Sequence, residues 1–131
     1  MTDHPNASIA RTAIEAFSRG DMAAMLDLVD ETVVWHAPGT NRFSGKFEGK
    51  PAVIDRFTRM AEAGIVQRLE IHDVVGNDDH VVALVNATVT SADGRSYQTP
   101  QVQAMHVRDG RCVEFWGMNQ DQAAVDVIMD S

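Results

Sequence analysis

Cysteine is almost missing from this chain: Cys112 stands alone among 131 residues. One thiol cannot close an internal disulfide, so packing has to hold the fold, and a reducing, cytoplasmic setting is expected. Long apolar runs are missing as well, and none nears the roughly 20 residues that span a bilayer. The start, Met1-Thr2-Asp3-His4-Pro5, carries neither the basic nor the apolar region of a secretory signal, which agrees with that expectation. Basic charge is scarce: 11 Lys and Arg stand against 19 Asp and Glu, for a net charge of −8. A phosphate-binding surface needs clustered cations, and here they are scattered, so neither nucleic acid nor an anionic membrane is an expected partner. The five histidines, His4, His36, His72, His80 and His106, fall at no metal-binding spacing. With no Gly-rich phosphate loop and no Ser-His-Asp order either, no metal or cofactor is expected.

What remains is a chain with 44% hydrophobic residues, long enough for one domain over 1–131 with its own core. Ile9, Ala13, Ala16 and Phe17 recur at helical spacing up to Gly20, and Asp21 is placed to cap a short helix carrying Met22, Met25, Leu26 and Val29. Thr32 to His36 reads as a strand that runs into the breaker Ala37-Pro38-Gly39, followed by a polar loop to Gly49. Pro51 opens a third helix with Ile54, Phe57 and Ala61 on one face and Gly64 as its stop. From Ile65 the period becomes two, with Leu69, Ile71 and Val75 on one face. Strands follow over 81–90, 96–107 and 112–118, with Asp109-Gly110 as a tight hairpin signal. A last helix over about 120–129 follows Asn119 and Gln122, which are spaced like a capping pair. Helices, a strand, a helix and then a meander make an α+β domain with helices on one sheet face.

Several segments in this order resemble the nuclear transport factor 2-like superfamily, in its SnoaL-like polyketide cyclase and ketosteroid isomerase branch. They are Ala16-Phe17-Ser18-Arg19-Gly20-Asp21; Asp30 through Gly39; Ser44-Gly45 with Gly49-Lys50-Pro51; and Val107 through Trp116. The resemblance implies a cone-shaped, cystatin-like α+β roll, in which a curved antiparallel sheet wraps the N-terminal helices and forms a pocket. It also implies a homodimer through the convex sheet face, which here would carry Val82, Leu84 and Trp116.

In such a fold the chemistry lies on inward-facing strand positions. His36 falls where ketosteroid isomerases place their proton-shuttling carboxylate, and a neutral imidazole could take a proton alpha to a carbonyl. The isomerase tyrosine maps to Ala13 and its second oxyanion donor to Gln103; the aspartate that SnoaL-like cyclases carry after the last-strand tryptophan maps to Gly117. With those groups replaced, two readings stay open. One is a cofactor-independent isomerase, cyclase or dehydratase with His36 as base and Gln103 as donor. The other is a non-catalytic ligand-binding or dimeric accessory domain. In both, a small apolar or moderately polar molecule would meet Phe57, Val85, Ala87, Gln101, Met105, Phe115 and Gly117. Trp35, alternating with His36, is expected to face away from it, and Cys112 to be a buried, inert thiol.

Overall fold

The computed structural model describes residues 3–131, so Met1 and Thr2 of the start discussed above lie outside the described residues. Helix α1 (Pro5–Ser18) begins with Pro5 in its first turn and His4 accepting from the Asn6 amide, and α2 (Met22–Leu26) is capped by Asp21, which accepts from the Ala24 amide. Strands β1 (Val29–Ala37) and β2 (Gly45–Glu48) precede α3 (Lys50–Glu62). The meander is β3 (Val66–Gly76), β4 (His80–Thr90), β5 (Ser96–Arg108) and β6 (Arg111–Asn119), and α4 (Gln122–Met129) closes the chain. Asp109 and Gly110 turn at φ 51° and 75°, the two positive values that a two-residue hairpin with the strands' own twist requires.

The six strands lie in the order β2-β1-β6-β5-β4-β3. Neighbours are antiparallel except β1 and β6, which run parallel with Trp35 opposite Phe115 and His36 opposite Trp116. Such a pair needs a long crossover, and residues 38–110 supply it. Four expectations change. The loop read from Gly39 to Gly49 contains β2, an edge strand held by pairing Phe47 with Trp35. The alternation of β3 breaks at a bulge between Ile71 and Asp73, which turns Val74 into the core and leaves Val75 56% exposed. On α3 the buried face is Val53, Arg56, Phe57 and Met60, and Ile54 lies outside it. The cap of α4 is Asp121, accepting from the Ala124 amide, while Asn119 and Gln122 bond each other through their side chains.

Helices cover the concave side of the sheet. α1 packs on β3 and β4, α3 on β1 and β2, and α4 across β4, β5 and β6. Val33, Val53 and Val81 are the largest side chains sealed completely from solvent. No helix among the described residues is long and apolar enough to cross a membrane. Truncating a sealed side chain removes its burial and leaves a cavity. Val53→Ala should therefore cost about 2 kcal/mol by urea denaturation, whereas Val66→Ala at a half-exposed strand start should stay within about 0.5 kcal/mol. Equal losses would place the core elsewhere.

Candidate functional site

Between the helices and the concave sheet face lies a cavity of about 100 Å³, several times the roughly 10–15 Å³ that one water needs. One wall is aromatic. Trp35 stacks on Phe115 with centroids 3.9 Å apart and planes 15° apart, because the parallel pairing sets the two side by side. Phe57 of α3 meets Trp35 edge-on at 5.7 Å and Phe17 of α1 meets Phe57 at 5.5 Å. Met105 and Gly117 complete that side. A Cβ added at Gly117 would make only ordinary contacts, with Phe115 at 3.5 Å and Pro38 at 3.6 Å, so the glycine leaves free space there.

Beside the aromatic wall, on the same sheet face, runs a row of carboxamides. Gln103 Nε2 donates to Gln101 Oε1 at 2.8 Å, and Gln101 Nε2 donates to Asn119 Oδ1 at 2.8 Å. Asn119 Nδ2 donates to Gln122 Oε1 at 2.9 Å, and Gln122 Nε2 to Asp126 Oδ1 at 2.9 Å. Asn41 Nδ2 donates to that same oxygen at 2.8 Å, and the Thr40 amide and hydroxyl donate to Oδ2. Burial pushes the Asp126 carboxyl upward, but the bonds from Asn41, Gln122 and Thr40 together outweigh it and hold the group below its ordinary 3.8. Asp126 is thus a carboxylate at neutral pH.

Among the described residues two titratable side chains line the cavity, Arg56 and Cys112. Arg56 donates through Nε to the Phe43 carbonyl at 2.8 Å and lies over the rings of Phe57 and Phe47, 5.2 and 5.7 Å from their centroids. Burial, with Arg59 nearby, lowers its pKa to about 10, which still leaves a cation at pH 7. Burial pushes the Cys112 thiol up to about 12, so it stays protonated, as an inert thiol should.

Of the residues expected at the site, Gln103, Phe57, Gln101, Met105, Phe115 and Gly117 come together on the cavity wall. His36 does not. Its register with Trp116 turns it to the convex face, where its ring stacks on Trp116 (5.1 Å, 5°) and Nε2 lies 2.8 Å from Glu114 Oε2. The expectation of an inward base at His36 is corrected by strand parity: Val33, Trp35 and Ala37 take the inner face. Trp35, expected to face away, is therefore the wall. Val85 and Ala87 do point inward, yet they are buried in the core and not on the cavity surface, because α1 and α4 pack over β4. Asn41 and Asp126 had no place in the sequence reading, and Asn119 and Gln122 entered it only as a capping pair for the last helix. The signal for Trp35 was present in β1, where Asp30, Thr32 and His36 share one parity and Val29, Val33, Trp35 and Ala37 the other.

The model of the SnoaL-like domain family matches residues 10–115. An uncharacterised protein of Mycobacterium tuberculosis, Rv0034, is 26% identical over 127 residues, covering 96% of this chain and 97% of its own. A Xanthomonas campestris protein of unknown function with a cystatin-like fold superposes with TM-score 0.87 at 25% identity, covering 96% and 98% of the two chains. A nuclear transport factor 2-like protein of Burkholderia pseudomallei, also of unknown function, superposes with TM-score 0.86 at 24% identity, covering 98% and 99%.

The Asp126 junction yields two expected outcomes. Gly39 has φ 91°, and a Cβ there would run into the Asp126 carboxylate and the Gln122 amide. Gly39→Ala should cost about 2 kcal/mol or more, read as a fall in Tm; an unchanged Tm would mean that the junction is soft. Because the folded pKa of Asp126 is depressed, its contribution is present above the unfolded value near 4 and is lost as pH falls through the folded one. Urea denaturation between pH 6 and pH 3 should thus show a smaller acid-induced loss in Asp126→Asn than in wild type. Parallel profiles would remove Asp126 from the acid dependence.

Proposed function

The chain belongs to the SnoaL-like domain family, and on that premise we propose that it binds a small, largely apolar molecule in the cavity without acid-base catalysis by His36. The observation that carries this reading is the chemistry of the lining. The polar side chains there are carboxamides, which do not titrate, beside a guanidinium that stays charged and a thiol that stays protonated at pH 7. A general base has to exchange a proton near the working pH and reach the reacting atom. Neither Arg56 nor Cys112 does the first, and His36 on the other face does not do the second. Stacked aromatic rings with a few convergent polar groups suit a flat apolar ligand that is held by its face and oriented at one end.

Homodimerisation is a separate proposal. Leu84, Val102 and Met118 lie in register across β4, β5 and β6 on the convex face. Leu84 and Met118 are 40% and 50% exposed, and Trp116 lies on the same face. An apolar row of this kind across three strands is suited to a second copy of the sheet.

Two measurements test these proposals. Gly117→Leu would place its side chain in the cavity, so it should weaken binding of an apolar aromatic probe at least about tenfold while leaving the Tm near wild type. His36→Ala should bind within about twofold of wild type. The reverse pattern, with binding lost in His36→Ala and kept in Gly117→Leu, would move the site to the convex face. Sedimentation at micromolar concentration should give a dimer for wild type and a monomer for Leu84→Arg; a monomeric wild type rejects the dimer.

A further inference from the structure

We infer that the ligand presents an O–H or N–H donor to Gln103 Oε1, and that Asp126 imposes this preference from the far end of the amide row. The inference rests on the reading of the cavity as a small-molecule site and specifies its ligand class: an apolar, aromatic molecule bearing a hydroxyl or N–H group.

The argument begins at Asp126. An ionised carboxylate has no proton to give and can only accept. Gln122 must therefore turn its Nε2 toward Asp126, which leaves Oε1 to receive Asn119. Asn119 must then present Oδ1 to Gln101, and Gln101 must present Oε1 to Gln103. Each amide could be reversed on its own at the cost of facing two donors or two acceptors together, but the anion allows only one direction for all four. Asn41 locks the same end, since it donates to Asp126 through Nδ2 while its Oδ1 accepts from the Phe43 amide.

At the free end the chain stops on a carbonyl oxygen. Among the described residues nothing donates to Gln103 Oε1, although the residue is only 6% exposed. Among the described residues no sealed side-chain oxygen or nitrogen lacks a partner, so this oxygen keeps open surface. It lies on the inner face of β5 between the small residues Ala83 and Gly117, where the open surface is the cavity that Gln103 lines. An amide that donates through nitrogen becomes a better acceptor at oxygen, and bonds in a row reinforce one another. The cavity thus ends in a strengthened acceptor. Gln103 Nε2 gives one of its two N–H groups to Gln101, so a single neutral amide proton beside the acceptor oxygen is all it could offer an enolate, the role expected for Gln103 from the sequence. A ligand hydroxyl suits it better, and a ligand oxygen without a proton would face another oxygen.

NMR titration with 2-naphthol and 2-methoxynaphthalene, which differ in the donor proton, tests this in wild type, Gln103→Met, Gln101→Met and Asp126→Asn. Wild type should favour the naphthol, and the ratio of the two affinities should fall about tenfold in Gln103→Met, the scale of one hydrogen bond. It should fall severalfold in Asp126→Asn, where the row is free to reverse. Gln101→Met cuts the row without touching the Asp126 junction and should give the same fall if Asp126→Asn does not fold. If both probes bind and their ratio is the same in wild type and in the folded variants, the donor preference is wrong and the binding site stands. If neither probe binds wild type, both readings fall.

Discussion

The parallel pairing of β1 with β6 is the constraint on which the interior depends. Side chains alternate between sheet faces, so one register assigns every residue of β1 at once. With Trp35 opposite Phe115, the two rings stack inside and become the aromatic wall. The same register sends His36 and Trp116 to the convex face, where they stack on each other and Glu114 takes the imidazole. A slip of one residue would exchange the two sets and place a polar pair in the core. Burial of Val33, Trp35 and Ala37 opposes that slip, since each would lose its apolar contacts.

The amide row solves a different problem. A concave sheet face closed by helices leaves little water for polar side chains, and unpaired buried groups are costly. Gln101, Gln103, Asn119 and Gln122 satisfy one another in sequence and end on a carboxylate that three residues support. Strand β5, strand β6, helix α4 and the turn after β1 each contribute a member, so the row also ties these four parts together. Asp126 is then both a structural junction and the reference that orients the polar end of the cavity. Gly39 permits it, because no side chain fits between that turn and the carboxylate.

Local patterns revealed most of the architecture. Helical spacing around Ile9 and Phe17, the Asp21 cap, Pro51 at a first turn and Asp109-Gly110 in a hairpin are decided by neighbours within a few residues, so they are legible in a string. Parity along β5 was legible as well, and it correctly put Gln101, Gln103 and Met105 on the cavity side. Reading failed where a partner strand had to be known. Residues 45–48 form a strand because Phe47 pairs with Trp35, and Val75 is turned out by a bulge that no local signal marks.

The chain's order of residues was enough to establish an α+β domain of this family, its strand and helix succession apart from β2, and an inert Cys112. These follow from periodicity, turn chemistry and the burial of apolar side chains, all of which act over short stretches of chain. Which face His36 occupies, and that Trp35 and the five carboxamides linked to Asp126 line the cavity in its place, were decided by long-range pairing. The amides come from positions as far apart as 41 and 122, and their polarity is imposed by a carboxylate at 126. A hydrogen bond needs its partner within about 3 Å, and that proximity exists only once the sheet has closed around its helices.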